Sequence, residues 1–361
     1  MILECIVIAS LLLLGIIFIG VISYDISAVK QQTIYRQDIH SKRFKYHPSI
    51  SIIIMTTGDI TAIEQSISSI KKTTYRNYEI IVIPLSQHSA VQKAFRDIKG
   101  VVVFEAKRRV SRTVNAQSAY RKYGHGELVM VVDDTTAFSN DTLNKIAWHS
   151  NFNKASAMVL NEYGHTPASS IGLFETYHSI ANSYIRKAKT GLHINQHVRD
   201  TAIVYPKESF LSHTTPYRSV YLSDTVITRR TDSSYSLFLA RLFKHKSHMA
   251  NSFYAPGSAA LATTIVGWVI IFTLPFIVSY FGYVAIALHQ PLLFYLALAG
   301  LGMYIIMTIW WNDLLSMRQK LTYSLLSPAT YILFYALSWI QIAILLAVAV
   351  IPANQDGIRR V

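Results

Sequence analysis

Two hydrophobic patterns share this chain. Long apolar runs with almost no charge cover 6–22, 259–283, 291–311 and 328–351. That is the length scale of a helix crossing a bilayer. Between the first and second runs the pattern breaks into short blocks. Ile50 to Met55, Glu79 to Ile83, Val101 to Phe104, Glu127 to Val132 and Ala155 to Leu160 read as strands, and Leu128 to Val132 is a continuous apolar run without polar alternation, as in a strand buried on both faces. Helical spacing separates them. Ile60, Ile63, Ile67 and Ile70 mark a helix over Asp59 to Lys72, followed by Ser89 to Ile98, Ser111 to Tyr123 and Asn140 to Ser150. Asp59 is placed to cap the first helix, and Gly124 and Gly126 punctuate the end of the third. Regular alternation of strand and helix predicts a parallel α/β sheet with right-handed crossovers. From Asn161 to Leu222 the periodicity fades, and mixed structure closing over the sheet's ligand edge is expected there.

Composition points the same way as the long runs. The 361 residues are 51% hydrophobic and only 15% charged, with a mean hydropathy of +0.29. That balance fits a protein partly in a membrane. The net charge of +14 suits an anionic membrane surface or an anionic substrate such as a nucleotide-sugar. Nucleic acid is disfavoured because the basic residues flank the apolar runs. A transporter is disfavoured because the spans are few and hold no ionisable residue. The single cysteine, Cys5, excludes an internal disulfide and a cysteine zinc cluster.

The expected organisation is an N-terminal transmembrane anchor over 1–24 and a basic juxtamembrane linker over 25–47. An α/β domain follows over 48–228, then a basic interfacial segment over 229–257. Transmembrane helices fill 258–352, with an amphipathic interfacial helix near 314–326, and 353–361 is a tail. Lys30, Arg36, Lys42, Arg43 and Lys45 put the α/β domain on the cytoplasmic side of a plasma membrane, in a multi-pass protein; Arg359 and Arg360 run against that rule.

The candidate chemistry lies in Glu127 to Thr136, ELVMVVDDTT, where an apolar strand stops at two carboxylates and two hydroxyls. In open α/β sheets ligands bind beyond the carboxyl ends of the strands. Asp133 and Asp134 therefore stand where a hard cation and its phosphate ligand are expected, since Mg²⁺ sites combine one or two carboxylates with substrate phosphates. The same residue types also end a strand and begin a turn or cap.

This layout resembles the membrane-bound family 2 glycosyltransferases, which carry a GT-A (Rossmann-like) nucleotide-sugar domain between transmembrane helices. One helix before and about three after is similar to the polymer-forming branch. Pro48 to Ile54 resembles the family's first strand, and Tyr75-Arg76-Asn77-Tyr78-Glu79-Ile80-Ile81-Val82 its second. Arg112 to Tyr123 with Gly126-Glu127-Leu128-Val129 resembles the approach to the Asp-x-Asp motif, whose two acids fall on Asp133 and Thr135. Leu222-Ser223-Asp224-Thr225 resembles the Thr-Glu-Asp motif.

The resemblance implies a hexosyl- or N-acetylhexosaminyl-transferase using a nucleotide-sugar such as a UDP-sugar, with a glycan or lipid-linked acceptor. Asp224 would be the general base. Asp133, Asp134 and Arg112 would bind the nucleotide, and Asp133 with Thr135 would hold Mg²⁺ or Mn²⁺. Partners would be the lipid bilayer and, in some arrangements, a protein subunit. The departures are several. Met55-Thr56-Thr57-Gly58-Asp59 replaces the usual first turn, Pro84-Leu85-Ser86-Gln87 lacks the uracil-side carboxylate, and Thr135 is neutral. The Gln-x-x-Arg-Trp motif of processive enzymes is absent. The alternative is an impaired, glycosyltransferase-like scaffold that partners or regulates another glycan-synthesis enzyme.

Overall fold

The structure, a computed structural model, describes residues 2–40, 47–106, 112–152, 157–164, 170–193, 202–212, 219–229, 291–312 and 315–327, with a few further positions in 279–289 and at 339 and 343. The elements run α1 (Ile2–His40), β1 (Ile50–Thr56), α2 (Ile60–Lys71), β2 (Tyr78–Pro84), α3 (His88–Phe95), β3 (Val101–Val103), α4 (Arg112–Tyr123), β4 (Leu128–Asp133) and β5 (Thr136–Phe138). They continue α5 (Thr142–Phe152), β6 (Ala157–Gly164), α6 (Ser170–Gly191), β7 (Ile203–Pro206), α7 (Lys207–Leu211), β8 (Ser219–Arg229) and α8 (Pro291–Trp310). Residues 317–327 are also helical. The chain forms two compact units, one of Asp25–His165 and Asn195–Arg230, the other of Met1–Tyr24, Thr166–Ile194 and Thr231–Val361.

The first of these units is built on an eight-stranded sheet in the order β3-β2-β1-β4-β7-β6-β8-β5. β1 lies parallel between β2 and β4, and every residue of it is buried. That is why its sequence reads ISIIIMT without alternation. The sheet is mixed rather than parallel throughout: β7 runs antiparallel to both β4 and β6, and β5 antiparallel to β8. β7 is four residues long, too short to show a period in sequence. Alternate residues divide the core into two layers. Ile52, Ile54, Val82, Met130 and Leu160 pack with Ile63, Ile67 and Ile70 of α2 and Leu143 and Ile146 of α5. Ile53, Ile81 and Val129 pack with Ala116, Ala119 and Tyr120 of α4 and Phe210 of α7.

A carboxylate fastens the amino-terminal edge of this sheet. Glu79 accepts hydrogen bonds from the Ser51 hydroxyl, from the His125 backbone N–H at 2.5 Å and from Gly126 N–H at 3.2 Å. Burial pushes its carboxyl up, but the hydrogen bonds from Ser51 and His125 outweigh that and hold it below the usual range. A depressed acid contributes stability above its unfolded pKa of about 4.3, and that contribution is lost as pH falls through the folded value. Glu79→Gln is therefore expected to cost about 1–2 kcal/mol at pH 7 and progressively less below about pH 4. Urea unfolding of both proteins at pH 7 and pH 3.5 measures this; equal losses at both values would contradict it.

In the other unit, Ile17 and Val21 of α1 are buried with Tyr184 and Ala188 of α6, and Trp311 packs against them. The two helices touch at glycines. A Cβ at Gly191 would sit 1.9 Å from the Gly20 carbonyl oxygen, and one at Gly20 would sit 2.6 Å from the Ala188 oxygen. No relaxation of a flexible side chain relieves a clash with backbone, so Gly191→Ala is expected to cost about 1–3 kcal/mol. Thermal unfolding with hydrogen exchange over 170–191 tests it. Lys187 is buried beside this contact, donating to the Trp311 carbonyl at 3.3 Å.

The expected transmembrane helices require correction. Among the described residues no helix is long and apolar enough to cross a membrane. This overturns the one-plus-three spanning arrangement and the multi-pass plasma-membrane placement. The first apolar run does not end as an anchor at residue 24; it continues as one helix through the polar stretch to His40, and its Ile17–Val21 stripe is used against α6. The runs at 259–278 and 328–338 lie outside the described residues.

Candidate functional site

The carboxyl ends of β1, β2 and β4 meet at one edge of the sheet. Thr56 ends β1, and its hydroxyl donates to Asp134 Oδ2 at 2.5 Å while accepting from Gly58 N–H at 2.9 Å. Gly58 has φ of +108°, a conformation that glycine adopts without strain. The turn after β2 closes against this loop: Leu85 N–H donates to Thr56 O at 2.8 Å, and the Ser86 hydroxyl donates to Thr57 O. Asp59 caps α2 as expected, accepting from Ala62 N–H at 3.1 Å.

Asp133 and Asp134 leave this edge differently. Val129 and Val131 face the α4 layer, so Asp133 at the end of β4 faces it too. There Arg112, the first residue of α4, forms an ion pair with Asp133 Oδ1. The Asp133 side chain is mostly covered, and the Arg112 side chain is 44% exposed. Asp134 is buried and turned to Thr56. Burial pushes its carboxyl above the usual range; the Thr56 hydrogen bond holds it down, and the neighbouring Asp133 charge adds to the rise. The Thr135 hydroxyl is buried without a hydrogen-bond partner.

Asp224 lies in β8 where the pairing with β6 slips. Leu222 opposes Leu160 and Val226 opposes Asn161, so Ser223 to Thr225 bulge out. Asn161 Nδ2 closes the bulge by donating to Ser223 O at 2.9 Å. The Asp224 carboxylate turns to α5. His149 Nε2 lies 3.0 Å from Oδ1 and 3.2 Å from Oδ2, and must be the donor because the carboxylate only accepts. Lys145 Nζ donates to the Asp224 carbonyl at 2.9 Å, and the Thr225 hydroxyl to Oδ1 at 3.2 Å. Burial pushes the Asp224 carboxyl up, but His149, Lys145 and Thr225 together bring it below the usual range. Tyr35 of α1 sits nearby, its phenol pushed up to about 12 by burial and by the charges of Asp141 and Asp224.

Register relates the two acids. Val131 opposes Ile203, Ile203 opposes Val159, and Val159 opposes Tyr221. Asp133 and Asp224 thus lie beyond the same level of the sheet, three strand spacings or ~14 Å apart. They share a sheet edge but not a contact.

Of the residues expected at the site, Arg112 and Asp133 are brought together, Asp134 is turned to Thr56, and Asp224 is engaged with His149. Thr56, Asn161, Lys145 and His149 carry no sequence signal for these roles, apart from the i,i+4 spacing of Asp141, Lys145 and His149 on one helix face.

The resemblance places a divalent cation at Asp133 and Thr135. Mg²⁺ and Mn²⁺ take oxygen ligands, Mg²⁺ usually retaining several waters. Asp133 already holds a guanidinium, Asp134 serves Thr56, and the Thr135 hydroxyl is neutral and closed off from solvent. Among the described residues no three acids, histidines or cysteines converge as a metal site. The described residues hold no cation site complete in itself; a cation there would have to displace Arg112 from Asp133 and take its remaining ligands from the nucleotide and water.

No protein-family model matches the chain, and no curated protein matches it. Solved structures do. A mannosyltransferase, PcManGT from Pyrobaculum calidifontis in complex with GDP-Man and Mn²⁺, is similar over 93% of this chain and 98% of its own, with a TM-score of 0.52 at 15% identity. S. aureus TarS 1–349 is similar over 80% of this chain and 89% of its own at 13% identity, with a TM-score of 0.38. The same TarS fragment in complex with UDP-GlcNAc gives 0.37 at 12% identity. Only the first likeness has weight, and at that identity it shows the fold alone. The chain therefore shares the overall fold of that mannosyltransferase.

Proposed function

We propose that this chain transfers a sugar, a hexose or an N-acetylhexosamine, from a nucleotide-diphosphate donor to a glycan or lipid-linked acceptor. The observation that carries the reading is the Arg112–Asp133 pair at the carboxyl end of β4, beside β1, where open α/β sheets take nucleotides. The fold shared with a mannosyltransferase solved with GDP-Man supports it. Glycosyl transfer breaks the bond between the anomeric carbon and the diphosphate oxygen as an acceptor hydroxyl oxygen bonds to that carbon; the hydroxyl's proton passes to the departing diphosphate or to water, and the diphosphate leaves carrying the electron pair and negative charge. A fixed cation aimed at that oxygen stabilises it. Arg112 is the group placed to do so, with Asp133 orienting its guanidinium. The loop from Thr56 to Asp59, tied by Asp134, shapes the edge against which the nucleotide lies.

In this reading Asp224 acts chiefly through the bulge. A general base works best with a pKa near the operating pH, whereas this carboxyl is depressed and engaged with His149. The absence of a carboxylate after β2 and the engagement of Asp224 favour a second reading, a nucleotide-binding partner of another glycan-synthesis enzyme that itself transfers little.

Isothermal titration of the purified chain with GDP-mannose and UDP-sugars, followed by release of nucleotide diphosphate in the presence of candidate acceptors, separates the readings. Binding with turnover supports the enzyme. Binding without turnover supports the partner. A chain that binds no sugar nucleotide is neither.

A further inference from the structure

The fold and the resemblance imply a divalent cation, yet the acid that would hold it is already paired. We infer that the Arg112 guanidinium takes the place of that cation, so that this chain binds a nucleotide diphosphate without a metal. The inference rests on the nucleotide-sugar reading above and adds to it the identity of the counter-charge.

Three features carry it. First, the contact is long-range in sequence and joins two elements at the ligand edge: Arg112 opens α4 and Asp133 closes β4, 21 residues on. Second, the guanidinium has chemistry to spare. It is planar, always charged and carries five N–H donors in a fork that fits carboxylate and phosphate alike. One nitrogen is on Asp133, and the side chain remains 44% exposed, so solvent, and an anion carried in it, reaches this residue. Third, the remaining oxygens expected around a metal are committed elsewhere. Asp134 is turned to the Thr56 hydroxyl, and Thr135 offers only a buried hydroxyl.

Charge arithmetic separates this arrangement from a metal site. In a metal site Asp133 is a ligand, and neutralising it releases the cation and the nucleotide with it. In the arrangement inferred here Asp133 is a negative charge beside the phosphates whose task is to orient Arg112. Neutralising it leaves the guanidinium positive, so nucleotide affinity survives. The half-exposed position of Arg112 also makes the affinity fall with ionic strength, since an exposed charge pair is screened over about 10 Å at 0.1 M salt.

The test is calorimetric titration of the full chain with GDP, UDP and their sugar conjugates, in chelator and then in excess Mn²⁺. Mn²⁺ alone is titrated into the nucleotide-free protein as well. The expected result is affinity within about twofold in the two conditions and no saturable Mn²⁺ site. Arg112→Ala should weaken nucleotide binding at least about tenfold and Arg112→Lys less. Asp133→Asn should keep it within about threefold, and Arg121→Ala on the far turn of α4 should leave it unchanged. Thermal unfolding confirms that each variant folds. Nucleotide binding that appears only with Mn²⁺, or that Asp133→Asn abolishes while Arg112→Ala spares it, overturns this inference and leaves the nucleotide-sugar reading standing. Absence of binding in both conditions overturns that reading and this inference together.

Discussion

His149→Ala is expected to destabilise the sheet-containing unit by about 3 kcal/mol at neutral pH, among the largest effects of any polar substitution here. Removing the imidazole leaves a mostly buried carboxylate that has lost its two closest side-chain contacts, at 3.0 and 3.2 Å. The Thr225 hydroxyl and the Lys145 ammonium remain close, which keeps the loss at the low end of what a broken buried pair costs. The effect has a sign in pH. The Asp224 carboxyl is depressed in the folded protein, so its contribution is fully present above the unfolded pKa of about 3.9 and is lost as pH falls through the folded value. Without His149 burial dominates, and Asp224 takes up a proton at higher pH. The gap between wild type and variant should therefore start to narrow above about pH 4, as Asp224 of the variant protonates, and keep closing as pH falls through the wild-type folded value. Denaturant unfolding across pH 7 to 3, with hydrogen exchange over 219–229, measures both. A gap that stays constant in acid would mean that His149 acts by packing alone. If Asp224 were instead an active base with no bracing role, Asp224→Asn would abolish turnover while leaving stability within a few tenths of a kcal/mol.

Much of this arrangement was legible in the chain. Buried strands announce themselves when both faces are covered, as ISIIIMT and LVMVVD do, and Ile60, Ile63, Ile67 and Ile70 fix the inward face of α2. The placement of Asp133 at the carboxyl end of its strand followed from the abrupt end of the apolar run. What was not legible depends on contacts between distant residues. Arg112 was legible as a basic residue, but not as the partner of Asp133. Nothing near Asp224 announces His149, 75 residues earlier. β7 inserts between β4 and β6 with four residues and no period, so the sheet's change of direction could not be read. The first apolar run misled for a physical reason. Apolar length is shared by helices that enter lipid and helices that pack against protein, and Gly20 against Gly191 marks α1 as packed on α6.

The polar half of α1 offers the other large effect, through an aromatic cluster that it shares with α5. Trp148 of α5 is buried, stacks on Phe152 at 4.6 Å, meets the edge of Tyr35 at 5.2 Å and donates its indole N–H to Asp38 at 3.1 Å. Trp148→Ala empties a large site between α5 and residues 25–40, and is expected to cost about 4 kcal/mol. Trp148→Phe keeps a ring in contact and gives up the indole hydrogen bond, leaving Asp38 without that donor, for about 1–2 kcal/mol. The two losses differ because most of the contribution is buried ring area and only the remainder is the polar contact. The same substitution should reach the candidate site, since α5 also supplies His149 and Lys145 to the Asp224 bulge. Hydrogen exchange should show faster opening over 25–40, 142–152 and 219–229 together in Trp148→Ala, and little change over 50–56. Acceleration confined to 25–40 would show that the helix is merely laid against α5 and that the bulge is held independently of it.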